Sequence, residues 1–559
     1  MTAVWSEGRK SGCTIARIIE DVPRVSSGKS SVQDCDNRAP ALQLKAPEEL
    51  KADYDFVVCG SGSSGSVVAG RLSADPSVNV LLLEAGGTDD VPAVMDASLW
   101  LSNLGSERDW NFVAQPNPHL NGRAILQNMG KVLGGGSSIN LMGWVRGHKN
   151  DWDYFAAEAR DPAWSHQSIL DLYRRIEDWH GTPEADYRGS GGPVFIRPAR
   201  ASPVSLAFVE GARAVGMPTF ETLNGRLMES QGGCSRAERI NRAGKRQSIF
   251  RSYVAPHLAR TNLTVVTHAL VTRVILDGRR AVGIEIIRNG KVHRISAGRE
   301  IILSMGAIHT PKVLMQSGIG DESELRRLNI PVVQHLPGVG QNFQDHFLLE
   351  GCVWEARRPL EMQAAEGEAL FFWKSDPHLE TPDIQALQLE GARTNPQTSG
   401  VTLPTNAWTI YPGIVRPKSR GRLRLTGPGP NDPMQIEANT LSHPDDMKAM
   451  MTAVEICRGI AHSAPLRSFV KREVIPGSLK GRGLEQFLRN SVVSYWHQSC
   501  TAKMGTDDMS VVDGRLRVYG IDNLRIADAS IMPRVTTGNT MAPCVVIGER
   551  ASDILAEQS

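Results

Sequence analysis

The sequence predicts an α/β fold opened by a Rossmann-like βαβ unit. Three observations predict it. "DFVVC" (Asp55–Cys59) is a short apolar run bounded by glycine, as a buried parallel strand should be. Three glycines follow it, Gly60, Gly62 and Gly65, and then an Ala/Val/Leu stretch. A second apolar run, "NVLLL" (Asn79–Leu83), ends on the carboxylate of Glu84.

Each part of the unit has a physical task. From Ser63 to Ser73, Val67, Val68 and Leu72 recur at helical spacing. Gly60 permits the tight turn, Gly62 lets backbone approach a pyrophosphate, and Gly65 lets helix and strand pack closely. Amide groups at the helix start, around Ser63 and Ser64, then face the phosphates. Glu84, followed by Ala85, stands where a carboxylate can bind ribose hydroxyls. That fits NAD and FAD alike and disfavours a 2′-phosphate, which Glu84 would repel. A glycine turn without a ligand is the plain alternative; the flanking strands, the helix and Glu84 argue against it.

Bulk properties narrow the field. A chain of 559 residues exceeds the roughly 250–300 that one core sustains, so at least two cores are expected. Lys and Arg number 62 against 60 Asp and Glu, which gives no footprint for nucleic acid. No apolar run approaches the roughly 20 residues of a membrane span. The first fifty residues are polar, lack a secretory h-region and read as an extension outside the fold, which predicts a cytoplasmic protein. Eight scattered cysteines without a CxxC argue against a zinc site or disulfide framework, so no metal is expected.

Four further stretches carry chemistry. "GKVLGGGSSINLMGWVRG" (Gly130 to Gly147) makes poor helix and poor strand, and suits backbone packed against something flat or anionic. "GAIHTPKVLMQSGIG" (Gly306 to Gly320) follows an apolar strand, with Pro311 expected in the first turn of a helix. "YWHQSCTAKMG" runs from Tyr495, and "NLRIADASIMPRVTTGNTMAPCVVIGERASDIL" from Asn523.

These five stretches, in this order, resemble the glucose–methanol–choline (GMC) oxidoreductases, FAD-dependent enzymes acting on alcohols. "LPGVGQNFQDH" (Leu336 to His346) adds to the likeness, which spans about Asp53 to Leu555. The resemblance implies a Rossmann-like FAD-binding domain with an α+β substrate domain built on an antiparallel sheet. It divides the chain into a 1–52 extension, FAD-binding parts at 53–150, 231–345 and 500–559, and substrate parts at 151–230 and 346–499. "VWEAR", "DIQALQLE", "AWTIYPGI" and "GRLRLT" read as strands of the substrate sheet.

The resemblance also implies site residues. The loop from Gly130 through Val132, Gly135, Ser137, Asn140, Leu141 and Met142 would lie along the flavin, and Val271 would touch adenine through its backbone. Trp496, the Asp528/Ala529 pair, and Thr540 and Met541 at the start of the last helix complete the cofactor set. Where some members carry a flavin-linked histidine, this chain has Ile139, so FAD is expected to be non-covalent.

Alcohol oxidation needs a base for the hydroxyl proton, and histidine is the usual choice. Of the fourteen histidines, His497 matches the family's catalytic histidine and Asn539 its partner, which would orient the substrate oxygen while hydride passes to flavin N5. His346 reads as structural, His309 receives no role, and Cys500 reads as packing. An alcohol near pKa 15.7 and a histidine near 6.5 differ by about 9 units, so a free alkoxide would cost roughly 12 kcal/mol. His497 also sets the chain apart from light-driven decarboxylases of this fold, which lack that histidine.

Pocket residues are expected from the stretches around Trp354–Trp373 and Trp408–Pro412, which hold the aromatics Trp354, Phe371, Phe372, Trp373, Trp408 and Tyr411. A neutral alcohol is favoured over a quaternary-ammonium one, but aromatic faces bind cations too, so choline-like substrates stay open. The electron acceptor is dioxygen or a quinone-type carrier, and the oligomeric state is monomer or dimer. The alternatives are a hydroxynitrile-lyase-like enzyme with a silent flavin and a non-catalytic flavoprotein.

Overall fold

The computed structural model describes residues 50–557 except 52, 361–366 and 396. The expected extension therefore falls, but for residues 50 and 51, outside the described residues.

Two sheets organise the fold. The first has seven strands. Leu263–Val266, Val80–Leu83, Asp53–Cys59 and Lys291–Leu303 run parallel in that order. Leu524–Ile526 joins the far end of Lys291–Leu303, also in parallel. The near end of that long strand folds back antiparallel through Arg280–Arg288 and Leu270–Asp277. Val57, Val58, Cys59 and Leu81 to Leu83 are wholly buried, as strands covered on both faces must be. The helices Ser63–Leu72 and Met541–Ala556 pack against each other beside this sheet.

The second sheet has eight strands, all antiparallel. Its main path runs Arg472–Ile475, Cys352–Glu355, Ala407–Ile414, Ile384–Glu390, Gly367–Trp373 and Gly233–Arg236. Phe347–Leu349 bridges Ala407–Ile414 and Val492–Ser494.

Four expectations need correction. Gly233–Arg236 pairs with the substrate-side strand Gly367–Trp373, so the second sheet already begins within the stretch assigned to the FAD-binding part at 231–345. Within "GRLRLT", Arg422–Leu425 pairs with Met434–Glu437 in a separate two-stranded sheet rather than in the large one. The two stretches expected at the pocket give Leu370 and Tyr411 to the cavity, but of their six aromatics Tyr411 alone lines it. Trp354 and Trp408 stack on each other 5.0 Å apart, and Phe371 stacks on Phe208. Strand alternation turns Phe371, Trp373, Trp354 and Trp408 to the other face, whereas Phe372 shares the face of Leu370 and is packed in its cluster without lining the cavity.

The fourth concerns Pro311. The helix spans Gly306–Gln316, so Pro311 sits inside it rather than at its start. A proline there removes the amide that would bond the carbonyl four residues earlier, Ala307. Thr501 Oγ1 donates to that carbonyl instead, at 2.6 Å.

Candidate active site

One cavity takes lining residues from both sheets. One half is built on the glycine turn. A Cβ on Gly65 would lie 1.9 Å from the Gly60 carbonyl oxygen, so only glycine lets the helix start that close to the strand. Gly62 differs: a Cβ there would meet nothing nearer than the Ser304 carbonyl oxygen at 4.0 Å, in space that the cavity occupies. Glu84 braces the turn by accepting from Ser61 Oγ at 2.6 Å and from the Gly86 amide at 2.8 Å. Burial pushes its carboxyl above the usual range, against the pull of these hydrogen bonds.

Residues distant in sequence complete this half. Gly130, Gly135, Ser137, Asn140 and Leu141 line the cavity with Ser63, Ser64 and Ala85. Val271, Asp528, Ala529, Thr540 and Met541 line it as well. Asp528 accepts from the Gly306 amide at 2.9 Å and from Thr310 Oγ1 at 2.6 Å. Asn140 Nδ2 contacts Met541 Sδ, and Asn140 Oδ1 accepts from the buried Arg246 at 2.9 Å. Trp496 lines the cavity and donates through Nε1 to Asn128 Oδ1 at 3.0 Å.

Gly65, Val132 and Met142 do not line the cavity. Gly65 packs on Gly60. Val132 is wholly buried, bridged to Gly87. Met142, at φ 58°, accepts from the Ile240 amide through its carbonyl. All three support the lining rather than form it.

The pocket fits a dinucleotide on its own terms. Open space stands over Gly62 and Gly136, and the N-terminus of the Met541–Ala556 helix borders it. Ser304 Oγ and His309 Nδ1 are buried lining atoms without a protein hydrogen-bond partner. Buried polar atoms are normally paired, so these two are suited to a polar ligand. Burial, with Lys312 and Lys131 nearby, lowers His309 to about 3 and keeps it neutral.

The other half of the cavity holds His497. His497 follows the strand Val492–Ser494, and His346 precedes the strand Phe347–Leu349. These strands pair with Phe347 opposite Ser494, and the Tyr495 amide donates to the His346 carbonyl at 2.8 Å. That register brings the two imidazoles together, with Nδ1 to Nδ1 at 2.9 Å. Tyr495 stacks on His497 at 4.8 Å. The backbone amide of His497 donates to Asp345 Oδ1 at 2.8 Å, and Ser494 Oγ donates to Oδ2.

The hydrogen bonds define the tautomers. Gln385 Nε2 donates to Asn539 Oδ1 at 3.0 Å, which leaves Asn539 Nδ2 facing His497 Nε2 at 3.3 Å. An amide nitrogen can only donate, so His497 Nε2 carries the lone pair. Its proton then sits on Nδ1 and is donated to His346 Nδ1. His346 in turn keeps its proton on Nε2, which makes no hydrogen bond of good geometry although the Val415 and Thr536 backbone carbonyls lie close.

Both rings are held neutral. Burial, and then the adjacent His346, push His497 well below the usual histidine range. Burial lowers His346 to about 3. Asp345 moves the other way: burial raises it to about 7, although Ser494 and two backbone amides oppose the shift.

His346 and Gln385 join His497 and Asn539 in this hydrogen-bonded set, and neither is expected there from the sequence. His346 closes a quoted motif but reads as structural until its strand is paired. Gln385 shares its strand, Ile384–Glu390, with Gln388 and Glu390, so no sequence signal sets it apart. Among the described residues no group of three or more metal-ligating side chains occurs, and no helix is long and apolar enough to cross a membrane.

Comparison with known proteins agrees with this geometry. GMC oxidoreductase patterns match residues 54–348 and 417–548. The chain is 36% identical over 550 residues to human mitochondrial choline dehydrogenase, covering 92% of this chain and 91% of that protein. It is 36% identical over 539 residues to an oxygen-dependent choline dehydrogenase of Pseudomonas savastanoi pv. phaseolicola, covering 90% and 93%. The crystal structure of pyridoxine 4-oxidase from Mesorbium loti superimposes with a TM-score of 0.85 at 29% identity, covering 90% of this chain and 99% of that one. Ile139 offers no atom for a covalent link to a flavin. The chain belongs to the GMC oxidoreductase family, and it is an FAD-dependent oxidoreductase acting on CH–OH groups with its FAD held non-covalently.

Proposed function

We propose that the chain oxidises an alcohol to an aldehyde or ketone, with His497 Nε2 taking the hydroxyl proton and Asn539 orienting the substrate oxygen. The observation that carries this reading is the lone pair on Nε2, fixed by Asn539 on one side and His346 on the other. A substrate hydroxyl entering between His497 and Asn539 would donate to Nε2 and accept from Asn539 Nδ2. Buried orientation of this kind supplies much of a catalytic rate. As Nε2 gains the proton, the Nδ1–H to His346 bond becomes charge-assisted and roughly doubles in strength. Only a neutral His346 can accept that bond, since a charged one would push the His497 proton off.

Bound FAD supplies the hydride acceptor. The Gly60–Gly65 turn, Glu84 and Ala85 would hold its adenosine and pyrophosphate, with Val271 beside the adenine. The Gly130–Leu141 loop, Trp496, Asp528, Ala529, Thr540 and Met541 would hold the rest, with the last helix directing its positive end at the pocket. The electron acceptor is dioxygen or a quinone-type carrier, and peroxide formation by purified enzyme in air distinguishes them.

Anaerobic mixing with an alcohol panel should bleach the flavin's visible band. His497→Ala should retain FAD and lose reduction by about 10²–10⁴-fold. Wild-type reduction rates in that variant would remove His497 from its role.

A further inference from the structure

The substrate half of the cavity has a chemistry of its own. Leu370, Leu387 and Tyr411 stand directly opposite one another across three adjacent strands. Leu348 lies on the same sheet, opposite Gly413. Leu223 and Val145 pack against this face from outside the sheet. All six line the cavity beside His497 and Asn539.

The charges that border the cavity are as informative. Among the described residues three carboxylates line it, Glu84, Glu238 and Asp528. Glu84 and Asp528 brace the dinucleotide half through the hydrogen bonds described above. Glu238 accepts from the Leu223 amide at 3.0 Å and from Asn224 Nδ2 at 2.7 Å, and pairs with Arg188 at 2.9 Å. Its charge is balanced before any substrate arrives. Arg239 also lines the cavity, where its Nη1 donates to the Leu141 carbonyl at 2.9 Å.

We propose that this cavity selects an uncharged, apolar alcohol and rejects alcohols carrying a quaternary ammonium group. The inference rests on the alcohol-oxidising reading above and departs from the choline named in the relatives' titles. An ammonium brought into this wall would lose its water and meet leucines and a glutamate whose charge is already balanced. Desolvating an ion without a partner is costly, and cation–π attraction is the smaller effect. Tyr495 already has its ring stacked on His497. An apolar tail loses nothing on entry and gains from leaving water.

A set of three matched alcohols isolates charge from shape. Choline, its carbon isostere 3,3-dimethylbutan-1-ol, and the hydroxy acid 4-hydroxy-2,2-dimethylbutanoate have nearly the same outline. Each is titrated anaerobically into the FAD-loaded enzyme. Bleaching of the flavin reports turnover, and perturbation of its spectrum before bleaching reports binding. The neutral alcohol should half-saturate at a concentration at least about 100-fold below either charged one. Choline or the hydroxy acid acting at a similar or lower concentration overturns the inference and leaves alcohol oxidation standing. No difference among the three overturns it too. Selective binding of the neutral alcohol without bleaching by any alcohol keeps the selectivity and overturns the reaction.

Discussion

His346 and His497 meet through their Nδ1 atoms at 2.9 Å, with ring planes 83° apart. Only one of two Nδ1 atoms facing each other can hold a proton, so the contact is a tautomer lock. With the lock closed, His497 presents an unprotonated Nε2 to the cavity. His346→Ala should lower the anaerobic rate of flavin reduction on the order of 10–100-fold with FAD retained, because the Nε2–H form of His497 becomes accessible. His346→Gln, whose amide oxygen can accept from Nδ1–H, should recover part of the rate. Equal rates in both variants and wild type, by stopped-flow absorbance, would count against the lock.

The same histidine should be visible in stability. His346 stays neutral in the fold to about pH 3, whereas an unfolded chain protonates it near 6.5. Between these values the unfolded state holds more protons, so the His346 contribution to stability falls as pH falls, by about 1.4 kcal/mol per unit. His497, also lowered, acts in the same direction. Asp345 opposes them. Raised to about 7 from an unfolded value of about 3.9, it loses stability as pH rises through that range. His346→Gln should therefore show a flatter stability profile between pH 4.5 and 6 than wild type in denaturant titrations. A parallel pair of profiles would contradict the buried neutral assignment.

Two glycines three residues apart should fail in different ways. Gly65→Ala drives a methyl group to 1.9 Å from the Gly60 carbonyl oxygen, so the protein itself should be destabilised, apoprotein included. Gly62 has φ −61°, which alanine adopts freely, and its Cβ would enter open cavity. Gly62→Ala should leave the melting of the apoprotein unchanged and weaken FAD binding by about tenfold or more, read by recovery of flavin fluorescence on release. Equal loss of apoprotein stability in both would refute this division.

Thr501→Val removes the hydroxyl bonded to Ala307, the carbonyl that Pro311 leaves without its helical partner. An unsatisfied buried carbonyl costs about 1–3 kcal/mol, so the variant should lose that much in a denaturant titration. Adding Pro311→Ala should recover most of it by restoring the helical amide, and a purely additive loss would argue against the pairing.

The nucleotide half was legible in the sequence because its signals are local. Glycine spacing, a short apolar strand and a terminal carboxylate all lie within about thirty residues of one another. The family likeness supplied His497 and Asn539. The aromatic wall was misjudged for a physical reason: an apolar strand does not declare which of its faces meets the ligand. Leu370 and Phe371 are neighbours of equal apolar character, and alternation gives the cavity to the leucine. His346 was illegible because its partner stands 151 residues away and is reached only through strand register. Pro311 was set at a helix start because the hydroxyl that tolerates it inside comes from another motif altogether.

The pairing of Phe347 with Ser494 reaches beyond the chemistry it enables. One short ribbon carries both imidazoles at one end, with Leu348 next along it. Main-chain bonds hold that ribbon, and no exchange of side chains removes them. Descendants of this chain can therefore retailor what the chamber admits, one leucine at a time, while the machinery that takes the proton stays where it is.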